Sequence, residues 1–461
     1  MLGHFYFGPK GGQILLTRDT GAFCFLTEKE FQALIQDREE EYRARSQELE
    51  EKGFLYHDSQ EGYIRRNESI LRDAERYLFD ATSLFILAVT NACNNRCIYC
   101  QANGEKCVQH MSPEVAEQAL KQIARSPAAG ITIEFQGGEP LMNEKVIRYV
   151  VQRGKEILRN KEVQYTIVSN LSLLTEEMAQ FCKDEHINVS TSLDGPEFLH
   201  NQNRPDIAET GSWAATMRGI ERLRKCGIEP GAIETTTAFS LPYAEEIVDT
   251  YVNNGLNHLF LRPLTRLGAA ARAWDRVGYS PDEFLKFYRK GLERIIAYCM
   301  NGKNVTEYHA ALFLSKILRG KAVNYMELRS PCGAGLGQLA ITANGNVYSC
   351  DEGRMMAEAG DEAFRLGNVF EGDYSDWIES PNCKALCSAS LLETLQGCCD
   401  CVYKPYCGVC PVVNYAINGN ITQISKDRCS IYKGILDILF EYIQRKDPKV
   451  MNIFNEWSEK T

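Results

Sequence analysis

Three cysteines constrain this chain more than any other feature. Cys93, Cys97 and Cys100 form a C-x3-C-x2-C run directly after the apolar stretch Leu84 to Val89. That stretch is far too short to span a membrane and reads as a buried strand. The C-terminal ends of such strands are where parallel α/β folds gather their ligand sites. Three thiolates within eight residues can hold three irons of a 4Fe–4S cluster and leave the fourth iron open to a small bidentate ligand. A zinc knuckle short of one ligand is the plainer alternative. Composition supports metal: the 461 residues include 18 cysteines and only 7 histidines. Residues 1–25 show no basic start followed by an apolar core, so nothing marks secretion and the expected compartment is the cytoplasm. In that setting, clustered cysteines are metal ligands rather than disulfides. A net charge of −10 argues against nucleic acid as the main partner.

The pattern around this loop is strand then helix, repeated. Strands are expected at Phe85–Val89, Ile131–Phe135, Val163–Ser169, Val189–Leu193, Ala232–Ala238 and Leu259–Leu261. Helices are expected at Pro113–Ala124, Glu144–Arg159, Glu176–Glu185, Trp213–Cys226 and Tyr243–Asn253, with Ser112 and Thr175 as N-caps. Such alternation means right-handed β-α-β units and a parallel sheet, but it does not separate an open sheet from a partial barrel. Residues 1–81 differ. Short apolar stretches at His4–Phe7, Gln13–Thr17 and Ala22–Leu26 between glycine turns read as antiparallel strands, followed by a helix capped by Thr27. The charge run at 37–52 reads as a solvated helix face. After Ser280 come further helices, then short strands near Leu339–Thr342 and Asn346–Ser349 among cysteines.

The three-cysteine loop strongly resembles that of the radical S-adenosylmethionine enzymes, and further motifs follow in register. Gly137-Gly138-Glu139-Pro140 after the second strand matches the family's GGEP motif, whose backbone meets the methionyl amino group. Tyr99 falls at the aromatic position that approaches the adenine. Ser169-Asn170 ends the third strand and Ser192 the fourth. Arg204 resembles the arginine that meets the cofactor carboxylate, and Leu261 is an adenine-wall candidate. The resemblance implies a partial (β/α)6 TIM-like barrel. It also implies a 5′-deoxyadenosyl radical, formed by one-electron cleavage of S-adenosylmethionine, that abstracts a hydrogen atom from substrate. A flavodoxin or ferredoxin is the implied electron donor.

Near the C-terminus, Cys332, Cys350, the run Cys398-x2-Cys401-x5-Cys407-x2-Cys410, and Cys429 resemble a SPASM domain, which binds two auxiliary 4Fe–4S clusters. The last central spacing is x2 where the family has x3. By position, Cys398, Cys401, Cys407 and Cys429 would hold the second auxiliary cluster, and Cys332, Cys350 and Cys410 the first. Its fourth place falls to Cys383, Cys387 or Cys399, or stays open. Zinc binding is the alternative, since C-x2-C suits zinc equally. Asp351, after Cys350, matches a proton-accepting aspartate of the related anaerobic sulfatase maturases.

Three units are expected: a winged-helix-like α+β leader-recognition domain over 1–81, the radical barrel with linking helices over 82–310, and the SPASM domain over 311–461. The front region also resembles the start of maturases from His-Xaa-Ser peptide systems. The implied activity is installation of a thioether or C–C crosslink, or a related oxidation, on a ribosomally made precursor peptide. The alternatives are a sulfatase maturase that oxidises a Cys or Ser to formylglycine, and a non-catalytic iron–sulfur protein. Neither a membrane nor a nucleic acid is an expected partner.

Overall fold

The computed structural model describes residues 1–57, 59–102, 107–323 and 328–460. Among these described residues are thirteen strands, numbered in chain order. β1 (Tyr6–Lys10), β2 (Gln13–Thr17) and β3 (Phe23–Leu26) form an antiparallel sheet in that order. The rest belong to one sheet: β4 (Leu84–Thr90), β5 (Gly130–Gly137), β6 (Glu162–Ser169), β7 (Asn188–Ser192), β8 (Gly231–Thr235), β9 (His258–Arg262), β10 (Thr306–Glu307), β11 (Gln338–Thr342), β12 (Asn346–Tyr348) and β13 (Arg365–Asn368). Its order is β10-β9-β8-β7-β6-β5-β4-β11-β12-β13.

All six strands from β4 to β9 pair in parallel with their sequence neighbours. This is the α/β arrangement that the strand–helix alternation dictates, and each expected strand is present within a few residues of its expected bounds. The local chemistry is plain. Ser112 and Thr175 accept hydrogen bonds from the amides of Val115 and Met178, capping the helices Pro113–Ile123 and Glu176–Asp184. β4 is buried along nearly its whole length because both of its faces are covered. Phe85, Leu87 and Val89 pack toward the helices, and Ile86 lies on the inner face with Ala340, Tyr348 and Ala357.

Two features go beyond the expected pattern. β11 joins the free edge of β4 in parallel, with Gln338 opposite Leu84 and Ala340 opposite Ile86, so the cysteine-rich C-terminal region continues the same sheet. β12 and β13 extend it as antiparallel strands. The helix Asp351–Glu358 then lies against the inner face, through Ala357.

The front region has its own small core, built from Leu16, Cys24, Leu26, Phe31, Leu34, Tyr42, Leu49 and Phe54. Thr27 and Glu30 make a reciprocal capping box on the helix Glu28–Ile35. The charge run folds as two short helices, Glu39–Tyr42 and Ser46–Glu51, that bury only Tyr42 and Leu49. The other face of the β1–β3 sheet rests on the C-terminal region. Phe23 and Phe25 meet Phe440 edge-on, at 5.4 and 6.2 Å between ring centroids. The Thr17 hydroxyl donates to the Val402 carbonyl at 2.6 Å, and the Tyr406 hydroxyl to that of Gly21 at 2.9 Å. Among the described residues, no helix is long and apolar enough to cross a membrane.

Candidate active site

The loop after β4 carries Cys93, Cys97 and Cys100 and is pinned from three sides. Arg96 and Ile98 donate their amides to the carbonyls of Pro205 and Asn203, at 2.7 and 3.0 Å, and Ala269 donates to Cys100 at 2.8 Å. Gly268 makes that last approach possible, since a Cβ there would stand 2.3 Å from the Gln101 carbonyl oxygen. The third side is the Gly137-Gly138 segment. Its amides at Gly138 and Glu139 donate to Thr90 and Ala92, at 2.8 and 2.7 Å. A Cβ on Gly138 would lie 2.2 Å from the Ala92 oxygen, and one on Gly137, whose φ is +138°, 2.0 Å from that of Thr90. Glycine is required here because backbone presses on backbone.

These elements enclose a cavity of about 190 Å³ lined by all three cysteines, Asn95, Tyr99, Gly137, Gly138, Glu139, Ser169, Asn170, Ser192 and Arg204, among others. Nine of the sequence-derived cofactor residues and cysteines beyond the glycines thus meet in one place, contributed by loops spread over more than a hundred positions. Pro140 stands behind it, starting the turn Pro140–Asn143. Leu261 is a correction. It is fully buried against Gly291 of the helix Pro281–Met300, with 2.7 Å between its Cδ1 and the place of a Cβ on that glycine. Its neighbour Arg262 lines the cavity instead, because successive strand residues face opposite ways. Sequence reasoning missed several lining residues, among them Asn95, Gln136, Thr235, Arg262, Arg354 and Met355. Alternation along β5, β8 and β9 was the available signal for three of them.

Glu139 is a positioning carboxylate. Its two oxygens accept from the Ser169 hydroxyl at 2.7 Å and from the amides of Asn170 and Leu141 at 2.8 and 3.0 Å. Burial raises its pKa, and these donors oppose the rise. A second network holds the far wall. Asp194, wholly buried, accepts from the Tyr99 hydroxyl at 2.7 Å and pairs with Arg204 Nε at 3.0 Å, while the guanidinium lies 5.2 Å from the Tyr99 ring centroid. Burial works against the Arg204 charge, but Asp194, Tyr99 and Cys97 together outweigh it and raise the pKa above its ordinary value. Behind it, His200 accepts from the Asp194 amide at 3.3 Å and meets the Ser212 hydroxyl at 3.0 Å.

The donor set suits an iron–sulfur cluster. Burial pushes the thiols of Cys93 and Cys97 up to about 12 and raises that of Cys100, while Arg204 favours their thiolates, so taking up metal releases protons. Among the described residues, no three His, Cys, Asp or Glu side chains gather as a single metal ion requires; the thiols are arrayed around a wider cavity. Asn95, 8% exposed, has no partner on either atom of its amide, a state that costs about 1–3 kcal/mol per group unless something in the cavity meets it.

Two further thiol sets lie in the C-terminal region. Cys398, Cys401, Cys407 and Cys429 line one cavity together with Lys433. Burial first, then the neighbouring thiols, push Cys398 up to about 12 and Cys407 up to about 11. Cys332, Cys350 and Cys410 are buried in one cluster, which Leu386 joins from the helix Pro381–Ala389. That helix carries Cys383 and Cys387, and Cys383 Sγ lies 2.5 Å from where a Gly335 Cβ would stand. The Cys332 amide donates to the Ser390 hydroxyl at 2.9 Å, which in turn donates to the Cys387 carbonyl at 3.1 Å. Cys399 is exposed. Of the remaining cysteines, Cys24 and Cys182 are buried, Cys226 is half-buried at a helix end, and Cys107 is exposed. Asp351 does not line the catalytic cavity; it is bound to Arg354, which does, through Nε at 2.8 Å and Nη2 at 2.6 Å. Arg354, fully buried, also pairs with Glu358 at 2.6 Å.

Comparison with known proteins agrees with this geometry. Residues 87–258 match the model of the radical SAM superfamily. The chain is 23% identical to a cysteine-type anaerobic sulfatase-maturating enzyme of Clostridium perfringens, over 81% of this chain and 98% of that one. Its fold is similar to that of native anSMEcpe with bound AdoMet, with a TM-score of 0.69 at 20% identity, over 81% of this chain and 99% of that one. It is also similar to that of Streptococcus suis SuiB bound to precursor peptide SuiA, with a TM-score of 0.57 at 15% identity, over 93% and 99%. Residues 87–258, which carry the three-cysteine loop and the glycine pair, are thus a radical SAM domain, and the chain is a radical SAM enzyme, of a class that works with S-adenosylmethionine and a 4Fe–4S cluster.

Proposed function

We propose that this enzyme is a maturase of a ribosomally made peptide, installing a thioether or C–C crosslink or a related oxidation. The observation that carries the reading is the front region, an α+β unit seated on the C-terminal cysteine region. The sulfatase-maturating relative spans 81% of this chain, whereas the SuiB fold, in a structure holding its precursor peptide, spans 93%. In this reading residues 1–81 take the leader, 82–310 house the radical chemistry, and 311–461 hold two auxiliary 4Fe–4S clusters. A sheet edge binds an added peptide strand through its unpaired amides and carbonyls.

Cys93, Cys97 and Cys100 hold the catalytic cluster. When bound, the cluster and S-adenosylmethionine supply a carbon-centred radical that removes a hydrogen atom from the peptide. Gly137 and Gly138 present backbone to the amino acid end of the cofactor, with Ser169, Asn170 and Ser192 beside it. The Asp194–Arg204 pair keeps a cation on the carboxylate side and fixes the Tyr99 ring. Cys398, Cys401, Cys407 and Cys429 hold one auxiliary cluster, and Cys332, Cys350 and Cys410 the other, with Cys383 or Cys387 nearer to the fourth place than the exposed Cys399. Asp351, beside Cys350, lies behind Arg354 and orients that guanidinium at the cavity, so it positions a cation there rather than touching the substrate. A flavodoxin- or ferredoxin-type protein supplies electrons.

The higher TM-score to the sulfatase-maturase fold favours the second reading, oxidation of a Cys or Ser to formylglycine. Mass spectrometry separates the two. The anaerobically reconstituted enzyme is given a precursor encoded beside it and, separately, a sulfatase-derived peptide. Loss of two hydrogens from the precursor supports peptide maturation. An aldehyde on the sulfatase peptide, with the precursor unchanged, overturns it.

A further inference from the structure

The Cys93–Cys100 loop spends the side chain of Asn94 on its neighbours and sends that of Arg96 to solvent, but leaves that of Asn95 buried and unmatched. Asn94 is used twice: its amide nitrogen donates to the Ser172 hydroxyl at 2.7 Å, and its oxygen accepts from Asn170 Nδ2 at 3.0 Å. Arg96 points to solvent. Asn95 is turned inward. Its backbone is held by a bridge to Asp206, and its own amide donates to Cys93 Sγ at 3.4 Å. Its side chain lines the catalytic cavity, where neither Nδ2 nor Oδ1 has a partner although both are wholly buried.

An unmatched donor and an unmatched acceptor on one planar group call for a ligand that brings both complements close together. A thiolate or sulfide would satisfy only the donor. An α-amino-carboxylate satisfies both, its carboxylate accepting from Nδ2 and its amino group donating an N–H to Oδ1. We propose that Asn95 is a specificity-determining residue that reads the amino acid end of S-adenosylmethionine, alongside Arg204 and the Gly137-Gly138 backbone. The proposal rests on the radical SAM assignment of the cavity and names a contact that neither the cysteine spacing nor the glycine motif implies. A loop asparagine is a suitable reader because the same loop that seats three thiols holds its backbone, through the bridge to Asp206 and the bond to Cys93 Sγ.

The test is equilibrium binding to the reconstituted full-length chain under anaerobic conditions, with iron content measured in parallel. Two probes are used: S-adenosylmethionine, and methylthioadenosine, which keeps the adenosine and the sulfur but lacks the amino acid end. Asn95→Ala is expected to weaken S-adenosylmethionine about tenfold, the factor that corresponds to about 1.4 kcal/mol, and to leave methylthioadenosine within twofold of the unaltered chain. Asn95→Asp keeps the size and an acceptor but replaces the donor by a negative charge, and is expected to weaken S-adenosylmethionine at least as much. Whichever variant retains full iron decides the matter. Unaltered S-adenosylmethionine affinity overturns the proposal. So does equal weakening of both probes, which would mean that Asn95 only supports the loop. If the unaltered chain, fully loaded with iron, does not bind S-adenosylmethionine, the radical SAM assignment of the cavity fails instead.

Discussion

Replacing Lys404 by Met tests how the front region is joined to the rest. Lys404 sits between Cys401 and Cys407, its side chain 6% exposed. Its ammonium donates to Asp19 at 2.9 Å and to the Tyr6 hydroxyl at 2.8 Å, both in the front region, and pairs with Glu393 at 2.9 Å. Burial alone would lower its pKa, but these three partners more than reverse the effect. Methionine keeps the apolar stem and removes the charge. Loss of one partner from a fully buried pair costs about 3–5 kcal/mol. Here Asp19 and Glu393 are 31% and 52% exposed and can rehydrate, and the Tyr6 hydroxyl keeps Asp19 as acceptor at 2.9 Å. The net loss is therefore about 2 kcal/mol, or roughly a thirtyfold rise in the population with the front region detached. Native-state hydrogen exchange reads this directly: amides of β1 to β3 should exchange about thirtyfold faster, while those of β5 and β6 stay unchanged. Equal acceleration throughout, or none, would refute the view that this buried cation holds the junction.

Gly138→Ala places a methyl against the Ala92 backbone; iron content should persist while S-adenosylmethionine affinity falls at least tenfold, as measured by equilibrium binding. His200 is pushed down to about 4, chiefly by burial, so between its unfolded pKa near 6.5 and 4 the unfolded state binds more protons than the folded one. Stability contributed there is present above pH 6.5 and falls by up to about 3 kcal/mol as pH drops to 4. Acid titration of the wild type should show this slope, and His200→Gln should flatten it. Changing Cys93, Cys97 and Cys100 together to Ala should remove about one third of the iron if there are three clusters, with all cofactor cleavage stopped. Single changes of Cys383 and Cys387 should identify the fourth ligand by loss of one auxiliary-cluster spectrum; if both spectra persist, that iron is open.

What the sequence by itself determined is local. The six parallel strands, their caps at Ser112 and Thr175, and the position of the thiol loop at a strand end all follow from apolar runs, hydroxyl caps and spacing, each legible within a dozen residues. The glycine pair was legible through its resemblance to a known motif, and the structure supplies the reason, since only glycine lets the second strand's loop press on the first's. Tertiary structure decided what depends on facing and on distant partners. Leu261 and Arg262 exchange roles through a one-residue alternation that an uncertain strand end cannot fix. The pairing of β11 with β4, the Arg354 that it brings to the cavity, and the seating of β1 to β3 on the Cys401–Cys407 segment join residues hundreds of positions apart. The unpartnered amide of Asn95 belongs with these, since whether a polar group is satisfied is a property of everything packed around it. Propensity and spacing act along the chain, whereas burial and hydrogen-bond partnership exist only once the chain has closed on itself.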